Sequence, residues 1–199
     1  MKGHHQAAKK ESILNASKHL FSQFGLRKTS IGDIAREARV AKGTIYKYFP
    51  SKEAIFREVV QIESEGFVGE MREAVRSSNG VGAKMRAFLI TKVTKIREAV
   101  NFYRVTREMA SELWPHVEGA REHYLAREKD IISEILSEGV ERGEISVSSI
   151  DLASSAIVMS LKGLELQWIL ESSLEDLGGT VDTLVDILQY GIVPRRTVR

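Results

Sequence analysis

The stretch from Thr29 to Lys52, TSIGDIAREARVAKGTIYKYFPSK, decides the fold. Ser30 is followed three residues later by Asp33, a near capping box that announces a helix start. Ile31, Ile34, Ala35 and Ala38 then fall on one helical face, and the helix ends near Arg39. After a turn through Arg39, Val40 and Ala41, a second short helix covers about Lys42 to Tyr48; Pro50 ends it, and Ser51 caps the next. On so short a helix Ile45 and Phe49, four apart, can face inward against Ile34 and Val40. Lys42, Thr44, Tyr46, Lys47 and Tyr48 cannot all do so and must point to solvent or to a ligand. Two short helices joined by a three-residue turn, the second rich in donors, have the geometry of a helix-turn-helix that reads a DNA major groove.

Charge supports a polyanionic partner for this end of the chain. Residues 1–58 carry 12 Lys+Arg against 5 Asp+Glu, whereas residues 59–199 carry 17 against 22, so a net charge of +2 hides a basic first quarter and an acidic remainder. Phosphate oxygens accept from Lys, Thr and Tyr, and from the open N–H groups at helix starts, which fall near Ser30 and Ser51. The 199 residues suffice for a sizeable core, and the absence of cysteine removes disulfides, thiolate nucleophiles and sulfur-ligated metal sites. No secretory leader is read in Met1 to Gln6 and beyond, and no run approaches the roughly 18 apolar residues of a membrane span. A soluble cytoplasmic protein is expected.

Working outward, helical periodicity continues in both directions and predicts an all-α protein. A first helix is expected over about Ala8 to Phe24, with Ile13, Ala16, Leu20 and Phe24 inward, Lys9, Lys10 and Lys18 outward, and Gly25 at its end. A fourth runs from about Lys52 to Val75, and Ser77, Ser78, Asn79 and Gly80 form the clearest break. Beyond it helices are predicted at about 82–99, 101–113, 117–142, 148–171 and 175–190, divided by Asn101, Pro115, Gly143 and the Ser172–Ser173 loop.

The segment 9–62 resembles the DNA-binding domain of TetR/AcrR-type transcriptional regulators. A first helix ending in F-x-x-x-G carries the resemblance, followed by T-S-I-x-D-I-A at 29–35, K-G-T-I-Y-x-Y-F at 42–49 and S-K-E at 51–53. It implies that Ser30 caps its helix at a phosphate, that Lys42, Gly43 and Thr44 approach bases, and that Tyr46, Tyr48 and Lys52 grip the backbone. Lys47 joins them as an exposed donor. Two departures stand out: many members have Gly where this chain has Arg39, and a hydroxyl residue where it has Ala41. The turn thereby loses a residue tolerant of positive φ, and the reading helix loses an N-cap of roughly 1 kcal/mol. Arg39 can compensate with a phosphate contact. Domains are expected at 1–52, for DNA binding, and at 53–199, a larger helical part for regulation and dimerisation.

The larger part is rich in bulky apolar residues. Most of them are core, but Phe88, Phe102, Tyr103, Met109, Trp114, Tyr124, Met159 and Trp168 are candidates to line a cavity between helices. The family resemblance implies a small effector there, largely apolar and not identified by the sequence. A homodimer is expected, because one short reading helix contacts too few bases and two must address a palindromic operator. Its interface is assigned to the last two helices, through Ala153, Ala156, Ile157, Ser160 and Leu164 and through Leu177, Val181, Leu184, Val185 and Leu188.

Enzymatic readings find no support in the residues. Gly80-Val81-Gly82 follows no strand, and Met85 stands at the third glycine position of a dinucleotide fingerprint. His116 and His123 lack a metal-binding pattern, and no cofactor cradle is found. The function expected is a ligand-responsive regulator, a repressor released by its effector. The competing reading is a helical adaptor or carrier whose basic end, the lysine face of the first helix included, meets an acidic partner or a membrane surface.

Overall fold

A computed structural model describes residues 2–103, 107–170 and 177–190, and the side chains among them except those of 2–5, 101, 107–117, 164–170 and 177. These residues form α1 (Lys2–Lys28), α2 (Ile31–Glu37), α3 (Lys42–Tyr48), α4 (Lys52–Arg76), α5 (Val81–Phe102), α6 (Arg107–Glu141), α7 (Ile150–Leu170) and α8 (Leu177–Tyr190), with no strand among them. The all-α reading is therefore correct. Two compact units result: residues 1–65 with 98–124, and residues 66–97 with 125–199.

Three details of the sequence reading change. α6 is one helix through Pro115, not two; the proline removes one N–H from a ladder of 35 residues, and the turns on either side carry the helix past it. α5 continues through Asn101 to Phe102. Phe24 is not a core residue but 55 % exposed. The helix breaks at Gly25, whose φ of 76° and ψ of 164° suit glycine alone, and Leu26 beyond the break takes the buried position instead.

The first unit is built on Ile13, Leu20 and Phe21 of α1, Ile34 and Ala35 of α2, Ile45 of α3, Phe49, and Ile55, Phe56 and Val59 of α4, all buried in one apolar cluster. Each large aliphatic or aromatic side chain so buried contributes roughly 1.5–3 kcal/mol. Phe21 meets Phe56 edge to face, with ring centroids 5.5 Å apart. Polar ties close the unit: Lys52 Nζ donates to the Leu26 carbonyl at 2.6 Å, and the Ser51 hydroxyl caps α4 by accepting from the Ala54 N–H at 3.2 Å.

The turn between α2 and α3 is a Schellman motif. The Arg39 N–H donates to the Arg36 carbonyl at 3.2 Å and the Val40 N–H to the Ala35 carbonyl at 2.9 Å. Arg39 thus occupies the position that glycine usually takes, at φ 54°, and among the described residues no other non-glycine has positive φ.

The second unit buries Met71 of α4, Met85, Phe88, Leu89 and Val93 of α5, Ile131, Ile132 and Ile135 of α6, Leu161 of α7, and Val181 of α8. Gly139 of α6 is a point of close approach, since a Cβ there would collide with the Val81 side chain. Inside this unit lies a charged pair: the Lys92 ammonium contacts the Glu128 carboxylate, and both side chains are wholly buried. Arg72 with Glu134, Lys95 with Glu70 and Lys129 with Asp151 are more exposed pairs, at 2.6–2.7 Å, and contribute little each.

Two outcomes follow for stability. Lys92→Met alone removes the ammonium from beside the buried Glu128 carboxylate and is expected to destabilise the protein by about 3–5 kcal/mol, whereas the double variant Lys92→Met/Glu128→Leu should recover most of that loss; urea denaturation distinguishes a pair that tolerates joint replacement from one that does not. Arg39→Gly relieves the left-handed penalty and should raise stability by about 0.5 kcal/mol or more, net of the extra unfolded-state entropy of glycine. An unchanged or lower urea midpoint would mean that the Arg39 side chain holds the turn together.

Candidate nucleic-acid interface

α2 begins on a complete capping box. The Ser30 hydroxyl accepts from the Asp33 N–H at 3.2 Å, and the Asp33 carboxylate accepts from the Ser30 N–H at 3.1 Å and from its hydroxyl at 2.6 Å. These bonds, the side-chain one foremost, hold the Asp33 carboxyl below its ordinary value, with Arg36 and Lys42 adding to the effect. The box is therefore intact above the usual carboxylate range and weakens as pH falls through the depressed value. Ser30 is exposed.

α3 divides its seven residues sharply. Ile45 is wholly buried, as is Phe49 just beyond the helix, and both belong to the apolar cluster. Lys42, Gly43, Tyr46 and Lys47 are exposed, and Thr44 and Tyr48 are half-buried. Tyr46 is 57 % exposed. Ala41 provides no side-chain cap, so the N-terminus of α3 lacks the hydroxyl ligand expected of an isolated helix.

Gly43 has a negative φ, and a Cβ built on it meets nothing within 4 Å. Neither packing nor backbone within the chain requires glycine at this place. The residue leaves room for something outside the chain to approach the α3 backbone. The Lys42 side chain folds back toward α2, its Cε lying 3.0 Å from where a Gly32 Cβ would stand.

Of the sequence-predicted DNA-binding residues, Ser30, Arg39, Lys42, Gly43, Tyr46 and Lys47 are exposed. Lys52 is different: its ammonium holds the Leu26 carbonyl, a role that the sequence did not reveal because the partner is a backbone group 26 residues away. Two lysines of α1 are also engaged. Lys10 pairs with Glu58 at 2.5 Å and lies 5.6 Å from the centre of the Phe49 ring, and Lys18 pairs with Glu63 at 2.6 Å.

The candidate effector residues do not all come together. Phe102 and Tyr103 meet edge to face at 5.0 Å in the first unit, where Tyr124 is also buried; Phe88 belongs to the core of the second. Met159 is 73 % exposed on α7, and the side chains of Met109, Trp114 and Trp168 lie outside the described residues. Of the candidate interface residues, Ala156, Ser160 and Leu188 are exposed, Ala153, Ile157 and Leu184 are half-buried, and Val181 and Val185 are buried; the side chains of Leu164 and Leu177 lie outside the described residues. Leu152, 70 % exposed, shares the open face of α7 with Ala156, Met159 and Ser160. Spacing of small residues in the sequence could not single it out. His123 pairs with Glu65 at 2.6 Å, and His116 lies outside the described side chains. Among the described residues no group of three or more His, Asp or Glu is placed to hold a metal ion, and no helix is long and apolar enough to cross a membrane.

Comparison with known proteins agrees with this geometry. Residues 13–59 match the family described as bacterial regulatory proteins, tetR family. The fatty acid metabolism regulator protein of Bacillus subtilis is 25 % identical over 185 residues, covering 90 % of this chain and 93 % of that protein. Among solved structures, a transcriptional regulator from Cytophaga hutchinsonii superposes with a TM-score of 0.72 at 24 % identity, over 90 % of this chain and 95 % of that one. FadR from Bacillus subtilis, in complex with stearoyl-CoA, gives 0.65 at 22 % identity, over 92 % and 99 %. Residues 13–59, with an exposed helix α3 seated on a buried Ile45, thus form a segment that matches the tetR family of bacterial regulatory proteins.

Proposed function

We propose that this protein is a ligand-responsive transcriptional repressor that binds a palindromic operator as a homodimer. The reading head lies in residues 1–52, and the regulatory and dimerising part in 53–199. The observation that carries this reading is α3 itself: Ile45 anchors it, Lys42, Tyr46 and Lys47 stand exposed, and Gly43 is bare with nothing of the chain beside it. In this reading Lys42, Gly43 and Thr44 approach base edges, while Ser30, Arg39, Tyr46, Lys47 and Tyr48 meet phosphates. Lys52 acts chiefly by fixing the end of α1 to the start of α4, and any phosphate contact comes from its remaining N–H donors. The adaptor or membrane reading is disfavoured, because Lys10 and Lys18 are engaged by carboxylates of α4.

The effector we favour has a long apolar tail, and an acyl-CoA is the first compound to test. Support comes from the near full-length similarity to a fatty acid metabolism regulator and from the fold shared with a regulator that binds stearoyl-CoA. The larger helical part, with Met109, Trp114 and Trp168 among its candidates, receives it. Dimerisation uses the open face of α7, where Leu152, Ala156, Met159 and Ser160 recur at helical spacing, together with the outer side of α8 at Leu184 and Leu188. An exposed Met and Leu beside small residues allow two copies to approach closely.

Selection from a pool of random duplexes should enrich an inverted repeat, and stearoyl-CoA should release it. Failure to enrich any duplex over competitor DNA would sink the assignment. Lys42→Ala or Thr44→Ala should change preference at one base position by about 1–3 kcal/mol, and Lys47→Ala should weaken all duplexes alike and lower the salt slope by about one. Gly43→Ala should leave folding intact or improve it, by up to about 1 kcal/mol, yet weaken the complex. Lys52→Ala should lower the melting temperature as well as affinity, which separates its role from that of Lys47. For the dimer, Ala156→Asp should give a folded monomer by sedimentation; an unchanged dimer would place the interface on another face.

A further inference from the structure

Three helices are shared between the two compact units: α4 divides after Glu65, α5 before Glu98 and α6 after Tyr124. Residues 98–103 therefore belong to the unit that contains the reading helix, although most of α5 belongs to the other. What binds this end of α5 to its unit is specific. The Tyr103 ring is buried and lies edge-on to Phe56 with centroids 6.5 Å apart, and Phe56 in turn meets Phe21 of α1. The Tyr103 hydroxyl donates to one oxygen of the Glu63 carboxylate on α4, and the other oxygen pairs with Lys18 Nζ of α1 at 2.6 Å. Lys18 Nζ also stands 5.7 Å from the centre of the Phe102 ring, so the contacts close on themselves through α1, α4 and the end of α5.

Packing alone does not require this hydroxyl. A phenylalanine would fill the same space against Phe56, and a buried hydroxyl without an acceptor would be destabilising. The bond to Glu63 is therefore what the tyrosine adds. Burial, and then the carboxylate itself, raise the phenol well above its ordinary range, so at neutral pH it is a donor. Lys18 and Glu63 come from the two helices that also supply Phe21 and Phe56 to the core beneath α3. A change in how α1 lies on α4 must alter the separation of Lys18 and Glu63, and with it the acceptor that Tyr103 holds.

We propose that Tyr103 is a positioning residue for regulation: through Glu63 and Lys18 it makes the end of α5 move with the reading head, so that DNA occupancy and effector occupancy are coupled along α5. This inference rests on the regulator reading above and names residues for its coupling. Reciprocity requires that binding of DNA at α3 be felt at residues 98–102, and that loosening this attachment weaken the coupling in both directions.

Hydrogen exchange read by mass spectrometry on the full chain tests it, free and with the duplex enriched by selection. In the wild-type chain, amides of residues 98–102 should gain protection when the duplex binds. Tyr103→Phe keeps the ring contacts; its free form should exchange about tenfold faster at 98–102, and the duplex should bring no gain there. Glu63→Ala removes the acceptor from the other side and should reproduce the loss, while Glu63→Gln, which keeps an acceptor, should retain the gain. Equal duplex-induced protection in Tyr103→Phe, Glu63→Ala and wild type would overturn the coupling and leave DNA binding standing, as would no gain in the wild type. Faster exchange spread evenly over the whole first unit, with the duplex-induced gain preserved, would mark a merely structural tyrosine and overturn it too. A wild-type chain that enriches no duplex overturns the regulator reading and the coupling with it.

Discussion

The seating of α3 on Ile45 and Phe49 is the constraint on which the rest of the reading unit depends. A helix of seven residues is far too short to be stable alone, so its orientation comes wholly from what lies beneath it. With one buried residue inside the helix and one just past its end, Lys42, Tyr46 and Lys47 are left exposed, while Thr44 and Tyr48 are half-buried, the latter against the apolar cluster. α1, α2 and α4 converge on Ile45 and Phe49, and the ties between Lys52 and Leu26 and between Ser51 and Ala54 hold the surrounding helix ends in place. The chemistry of the exposed face is thus free to vary as long as its apolar underside is kept.

Much of this was legible because it depends on local signals. Ser30 with Asp33, the run Ile31, Ile34 and Ala35, and the Pro50-Ser51 stop each act over a few residues, and the structure forms the corresponding cap, face and boundary. The missing cap at Ala41 was legible through the family resemblance, which also marked Arg39 as standing where glycine is common; the structure adds that Arg39 takes the left-handed conformation itself. What the sequence obscured is set by partners far away. Phe24 fits the helical stripe, yet the break at Gly25 lets Leu26 take the inward place; Pro115 reads as a stop, yet α6 passes through it. Lys52 reads as a donor for a ligand because its carbonyl partner leaves no mark in the side-chain pattern. Lys92 and Glu128, 36 residues apart, give no hint in the sequence that both are wholly buried.

That buried pair sets the second unit apart from the first. Among the described residues of the reading unit no charged side chain is fully buried, whereas the other unit places a full ammonium and carboxylate in its interior. A pair of this kind adds little net stability over apolar residues of the same shape, but it punishes any arrangement that separates its members. It therefore narrows the packings open to α5 and α6 more than it strengthens any one of them.

The carboxylates of α4 also shape how a duplex first meets the protein. Glu58 and Glu63 draw Lys10 and Lys18 into ion pairs and mask part of the positive field that the composition of the first quarter would suggest. Arg39, Lys42 and Lys47 stand exposed around α3. An approaching polyanion thus meets unpaired positive charge at the helix that must dock, while Lys10 and Lys18 of α1 offer it less. Ionic strength then acts twice, on the affinity through the phosphate contacts and on the rate of productive encounter through this steering.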